Sequence, residues 1–165
     1  MMSWRLFIVA LLVTYVVQTA ILKHFAPEWL NLLLVLALVV GLSAPAIDAR
    51  LAAWIVGFAV DAGTDGPLGL NALALGLAVL GLTYLREMVN RELWWVRWLA
   101  AFLVAMPAQL FVRLYEHYAD DTALGWLQLI GQALATSLVA ALLAALILHL
   151  PALLGRRRRY SAARW

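Results

Sequence analysis

The chain has 165 residues, of which 66% are hydrophobic and 13% are charged, and its formal net charge is +3. Soluble domains contain about 45–50% apolar and about 25% charged residues, so these values exclude a single soluble domain that buries its own apolar surface. The chain has no cysteine, which excludes disulfides, thiol catalysis and thiolate metal sites. A spanning helix needs about 20 apolar residues, and we therefore predict an all-α membrane protein with about five or six transmembrane helices.

The first two apolar stretches are separated by a short loop. The first, residues 6–22, is predicted to be an uncleaved span, because the large polar Gln18 stands where a signal peptidase requires a small residue. Thr14 and Gln18 are four residues apart on one helical face, which we expect to face the bundle interior. The second span is predicted over residues 29–43, and Pro27 before it suits a first helical turn.

The third apolar stretch, residues 51–64, is interrupted by a carboxylate. Only ten apolar residues, about 15 Å of helix, precede Asp61. The segment is therefore either a short crossing covered by protein or a re-entrant segment, and we favour the crossing because backbone at membrane depth must be buried in protein. The following Asp65-Gly66-Pro67 is predicted to cap, turn and begin the next helix, residues 67–85.

The second half of the chain is predicted to contain two more spans. They cover residues 98–113, with a kink or local unwinding at Pro107, and residues 124–150. Charged residues between 86 and 97 and polar residues between 115 and 123 are predicted to form loops. Close helix packing is predicted at small residues: Gly69, Gly76 and Gly81 in the fourth span, and Ala133, Ser137, Ala141 and Ala145 in the sixth.

Basic residues predict the orientation of the chain. With six spans, ten of the 12 lysine and arginine residues fall on the side of both termini, and only Lys23 and Arg113 fall on the other. Cytoplasmic loops are enriched in basic residues, so we predict one integral membrane domain, residues 1–165, with both termini cytoplasmic. Residues 155–165 are predicted to be a basic tail that contains Arg156, Arg157, Arg158 and Arg159. These arginines either anchor the tail at the anionic leaflet of the lipid bilayer or dock a cytoplasmic partner. No role in nucleic-acid binding is predicted.

No pattern in the sequence indicates catalysis, a cofactor or a metal. The three histidines are scattered and lack a second ligand at metal-compatible spacing. Asp61 is the only carboxylate that approaches the middle of a span, and an ionisable group within a span is a functional candidate by default. We predict that it accepts hydrogen bonds from backbone amides at the start of the fourth helix, around Leu68 and Gly69.

Other roles for Asp61 stay open at the level of the sequence. It could bind a partner helix or take part in proton or solute movement. Side chains that could donate hydrogen bonds to it occur elsewhere in the chain: Arg113, Gln109, Gln128, Gln132 and Asn71.

Two motifs resemble a known family. Gly57-x-x-x-Asp61 followed by Gly66-Pro67-Leu68-Gly69-Leu70-Asn71-Ala72-Leu73 resembles the signature region of MreD, the small membrane component of the bacterial rod-shape system. Pro27-Glu28-Trp29-Leu30 is similar to the family's Pro-x-Trp/Leu start of the second helix. Asp65-Gly66 stands where Ser-Gly is frequent, a mild departure.

The resemblance implies a non-enzymatic scaffold in the bacterial cytoplasmic (inner) membrane. Such proteins bind MreC and help to couple MreB filaments to RodA and a class B penicillin-binding protein. The family's fold is similar to the six-helix membrane subunits that capture vitamins for energy-coupling-factor transporters, so a solute-binding subunit is the alternative. The candidate structural or partner-binding residues are Gly57, Asp61, Asp65, Gly66, Pro67, Leu68, Gly69, Asn71, Gln109 and Arg113.

Overall fold

The computed structural model describes residues 2–22, 30–64, 66–88, 94–119 and 125–161. Within these ranges the regular structure is entirely helical, which confirms the predicted all-α class. There are six helices: α1 (Trp4–Val16, continued by a π-helical segment, Val17–Leu22), α2 (Leu32–Ser43), α3 (Ala46–Ala62), α4 (Leu70–Met88), α5 (Trp94–Ala119) and α6 (Trp126–Ser161).

Two of the helical segments are long and apolar enough to cross a membrane by length and composition. They are Trp95–Ala119 in α5 and Trp126–His149 in α6. Three further apolar helical segments are shorter: Trp4–Ala20, Leu32–Ser43 and Leu70–Arg86. The two long segments are compatible with transmembrane helices.

The centre of the bundle is α2, which contacts all five other helices. Its Leu34 and Leu38 side chains are fully buried, whereas α1 lies at the edge against α2 and α3 with Phe7 as its one buried residue. The core also contains many alanines, and small side chains let helix backbones approach closely. The predicted packing face of α6 is confirmed, because its four small residues are all buried: Ala133, Ser137, Ala141 and Ala145.

Polar side chains close both ends of α2. At its start the Asn31 Oδ1 accepts from the Leu34 amide at 3.0 Å, and the Gln18 side chain bonds to the backbone beside it, which confirms that Gln18 faces the bundle. At its end the Arg86 Nη1 donates to the carbonyls of Gly41 (3.1 Å) and Ala44 (2.6 Å). The last carbonyls of a helix have no partner within the helix, so Arg86 from α4 supplies one.

Several helix boundaries differ from the predicted ones. Residues 44–50, which separate the predicted second and third spans, are mostly helical because α3 already begins at Ala46, and α4 begins at Leu70 rather than at Pro67. Arginine, glutamate and alanine are good helix formers, so a change from apolar to polar residues does not by itself end a helix.

The second half of the chain shows the same effect. α5 continues as α-helix across Pro107 and on to Ala119, so the predicted local unwinding is wrong and the predicted loop is helical up to that residue. α6 continues to Ser161, so the first part of the predicted basic tail is helical. Residues 23–29, 89–93 and 120–124, which include parts of the predicted loops, lie outside the described ranges.

Candidate functional site

A buried carboxylate lies where α3 ends and α4 begins. Asp61, in the last turn of α3, is 2% exposed, and its carboxylate accepts four hydrogen bonds. Oδ2 accepts from the backbone amides of Gly69 (2.9 Å) and Ala72 (3.2 Å). Oδ1 accepts from the Asn71 amide (2.9 Å) and from the Asn71 side-chain Nδ2 (3.0 Å). We call this arrangement the Asp61 joint.

The Asp61 joint completes the start of α4. The first four amides of a helix have no partner one turn earlier within that helix. Here the Leu70 amide donates to the Pro67 carbonyl and the Leu73 amide to the Gly69 carbonyl, while Asp61 accepts from the two amides between them. A carboxylate is also favoured by the positive end of the helix dipole. Asp61 therefore acts as a helix cap supplied by the preceding helix.

A glycine one turn before Asp61 allows the two helices to come this close. A Cβ at Gly57 would lie 2.2 Å from the Ala72 Cα and 2.7 Å from the Ala72 nitrogen. Residues four apart share a helix face, so Gly57 and Asp61 both face the start of α4. The Gly57-x-x-x-Asp61 spacing thus combines a close backbone approach with an acceptor for the amides that approach.

Trp54 and Gly76 form a second close contact between α3 and α4. A Cβ at Gly76 would lie 2.7 Å from Cε2 of the Trp54 indole. The prediction of close packing at Gly76 is therefore confirmed. A Cβ at Gly81 would have no atom within 4 Å, so no described helix of this chain packs closely there, and Gly69 precedes α4 rather than lying within it.

Gly69 has a backbone conformation that other residues rarely adopt, with φ of +102°. Its amide donates to Asp61, so this conformation forms part of the joint. We expect Gly69→Ala to lower the free energy of unfolding by about 1 kcal/mol, because an L side chain is strained at positive φ. Thermal unfolding in detergent measures the change, with Gly66→Ala as the matched control because Gly66 lacks positive φ. Equal stability of the two variants would contradict the expectation.

Not all predicted site residues belong to the joint. The predicted acceptor role of Asp61 agrees with the geometry at Gly69, but the other donors are Asn71 and Ala72 rather than Leu68, which is 79% exposed. Gly66 and Pro67 are exposed in the connection, and Asp65 lies outside the described residues.

The remaining predicted residues lie on other helices. Gln109 is buried in α5, and the Arg113 guanidinium lies 3.9 Å from the Glu116 carboxylate one turn further along α5. Within the described ranges, Asp61 accepts no hydrogen bond from Gln109, Arg113, Gln128 or Gln132. Arg156, Arg157, Arg158 and Arg159 belong to the helical end of α6.

One contributor to the site, Ala72, was missed from the sequence. The Ala72 amide is a donor, and its backbone forms the surface against which Gly57 packs. An alanine side chain carries no signal for either role, because both depend on the backbone. A correct prediction that α4 begins at Leu70 would have placed Asn71 and Ala72 in the first turn, where backbone amides need acceptors.

A groove between α4 and α5 has a volume of about 450 Å³. Its lining is entirely apolar, and we call it the α4–α5 groove: Ala74, Leu77, Ala78, Gly81, Leu103, Val104, Pro107, Ala108 and Phe111. A second cavity of about 350 Å³ lies between α1 and α2. Within the described ranges, no group of three acidic, histidine or cysteine side chains is placed to hold a metal ion.

The chemistry open to the Asp61 carboxylate follows from its partners. A carboxylate has about four lone-pair positions, and here four donors use them. Accepting a proton or a ligand would break the start of α4, so the arrangement suits a structural joint.

Comparisons of the chain with protein-family models, curated proteins and solved structures find no match.

Proposed function

We propose that this chain is an MreD-like scaffold of the bacterial rod-shape system, with six membrane-spanning segments and both termini in the cytoplasm. In this role it binds MreC and helps to couple MreB filaments to RodA and a class B penicillin-binding protein. The proposed function is non-enzymatic. Under this layout the Asp61 joint lies toward the outer face of the cytoplasmic membrane.

The Asp61 joint is the observation that carries the proposal. The motif that resembles the MreD signature contains Gly57, Asp61, Gly69 and Asn71, and these residues join α3 to α4. A motif used for close helix packing suits a protein that presents a rigid surface to other membrane proteins. A motif used for catalysis would instead need a carboxylate with free lone pairs.

The α4–α5 groove is the proposed docking position for the membrane helix of MreC. One wall carries Ala74, Ala78 and Gly81 at helical spacing, and a Cβ added at Gly81 would meet no atom of this chain within 4 Å. Helices in membranes pack most closely where such small residues line the contact. The groove is continuous with α4, so the Asp61 joint holds one of its walls in position.

Co-purification tests this proposal. We expect an MreC-like protein with one membrane helix to co-purify with the full chain from detergent-solubilised membranes. Gly81→Phe should fill the α4–α5 groove and weaken that association by about tenfold or more, without lowering the unfolding midpoint. Leu80→Phe is the matched control, because Leu80 does not line the groove and should leave binding unchanged.

The alternative function would give the opposite results. A vitamin-binding subunit needs several convergent polar groups in a cavity, whereas the α4–α5 groove has an apolar lining. An isolated chain that does not bind MreC-like proteins and binds a vitamin tightly would overturn the proposal. Equal association of MreC with the Gly81→Phe and Leu80→Phe variants would reject the groove as the docking position.

A further inference from the structure

Arg50, in the second turn of α3, is held in place by two residues of α4. Its Nε donates to Thr83 Oγ1 at 3.1 Å, and its Cζ lies 5.2 Å from the centre of the Tyr84 ring. Thr83 is fully buried and donates in turn to the Leu80 carbonyl at 2.7 Å. An arginine over an aromatic face within about 6 Å is attracted to the ring. The Tyr84 ring therefore lies on one face of the guanidinium, and Thr83 holds its Nε edge.

The rest of the guanidinium has no partner within the described ranges. Neither Nη of Arg50 donates a hydrogen bond there, and no carboxylate lies within ion-pair distance of it. Asp48, the nearest acidic residue in sequence, accepts from the Met2 amide at 3.0 Å. Arg86, the other basic residue at this end of α4, donates to the α2 carbonyls. Among the side chains that the structure describes, this half-buried positive charge has no counter-charge.

The two Nη groups form the part of an arginine that suits phosphate. A guanidinium presents its N–H groups as a planar fork that matches phosphate oxygens in bidentate geometry. Tyr84 is 56% exposed, so the position is open to the surroundings. Tyrosine is also typical of the membrane–water interface. A phosphate group at this surface could come from a phospholipid headgroup or from free phosphate.

We propose that Arg50, held by Thr83 and Tyr84, binds the phosphate of an anionic phospholipid in the cytoplasmic leaflet. The proposal rests on the membrane orientation given under the proposed function, which places this end of α3 and α4 on the side with ten of the 12 basic residues. Basic pockets between helices on that side suit anionic headgroups. The lipid source is favoured over free phosphate because two exposed apolar side chains accompany these residues: Leu51 follows Arg50 in sequence, and Leu80 lies one helical turn before Tyr84.

Native mass spectrometry of the full chain in neutral detergent tests this inference. We expect phosphatidylglycerol to bind in preference to phosphatidylcholine, and Arg50→Gln to lower the phosphatidylglycerol affinity by about tenfold, because a charge-assisted contact is lost. Arg5→Gln is the matched control. Arg5 is an exposed basic residue on α1, at the end that the Met2–Asp48 bond places beside the start of α3.

A second variant separates lipid binding from folding. Tyr84→Leu removes the ring but keeps the Arg50–Thr83 bond, and we expect it to weaken phosphatidylglycerol binding without changing the unfolding midpoint in phosphatidylcholine. Equal phosphatidylglycerol affinity of wild type and Arg50→Gln would overturn the proposal. Displacement of phosphatidylglycerol by millimolar inorganic phosphate would overturn the lipid source. The assay contains no MreC, so its failure is distinguishable from a failed co-purification.

Discussion

Asp61→Ala is expected to lower the free energy of unfolding by about 3 kcal/mol, because it leaves buried amides without their acceptor. The change removes both oxygens that hold the Gly69, Asn71 and Ala72 amides. Thermal unfolding in mild detergent measures the loss as a lower midpoint. Hydrogen exchange should show the corresponding local effect, with reduced protection of the first turn of α4.

Two further substitutions sharpen this test. Asp61→Asn keeps the shape and one acceptor oxygen but turns an NH₂ group toward donors, so we expect it to be destabilising as well. Asp48→Ala is the matched control, because the Asp48 carboxylate accepts a single hydrogen bond from Met2 and its loss should cost about 1 kcal/mol or less. An Asp61→Ala protein as stable as wild type would contradict the structural role.

Partner binding by the Asp61→Ala variant carries separate information. If Asp61 acts only as the cap of α4, stability and co-purification with MreC should fall together, because the variant loses the shape of the α3–α4 pair. Loss of binding at unchanged stability would instead place Asp61 in the partner interface. Measuring both quantities on one preparation distinguishes these outcomes.

Gly57→Ala is expected to lower the free energy of unfolding by about 2 kcal/mol. Alanine is favoured over glycine in a helix by about 1 kcal/mol, so this result would oppose intrinsic propensity. The physical reason is overpacking, because the new Cβ would lie 2.2 Å from the Ala72 Cα and backbone atoms cannot rotate away. Separating the helices would also lengthen the hydrogen bonds of the Asp61 joint. The unfolding midpoint in detergent measures the effect.

Two other glycines provide the controls for Gly57. Gly81→Ala adds a Cβ with no atom of this chain within 4 Å, so it should be neutral or stabilising by up to about 1 kcal/mol. Gly76→Ala meets the indole of Trp54, whose side chain is 40% exposed and able to shift, so an intermediate effect is expected. Equal unfolding midpoints of the Gly57→Ala and Gly81→Ala variants would contradict the expectation that the close approach of α3 and α4 leaves no room for a side chain at position 57.

The sequence predicted the helical class and the main polar position of the structure correctly. Composition and apolar run length indicated helices, and a lone carboxylate beside glycines indicated a helix-end acceptor at Asp61. The small-residue face of α6 was also predictable, because its members recur every four residues. Each of these features is local and follows from helical geometry.

Helix ends and long-range partners were predicted less well. Loops were expected at the charged residues between 86 and 97 and the polar residues between 115 and 123, but α5 begins at Trp94 and continues to Ala119. Arg113 was a candidate partner of Asp61 because both were predicted on one side of the membrane, whereas Arg113 lies beside Glu116 on its own helix. Two residues on the same side of the membrane need not lie on neighbouring helices.

By itself, the sequence determined the all-helical class, the apolar character of the segments and the importance of the stretch from Gly57 to Leu73. These properties follow from residue type and spacing along one chain. Only the tertiary structure decided which amides Asp61 accepts from, that Gly57 lies against the Ala72 backbone, and that Arg50 is held by Thr83 and Tyr84. The physical reason is that backbone amides and alanine surfaces are alike along the chain, and only the packing of α3 against α4 selects among them.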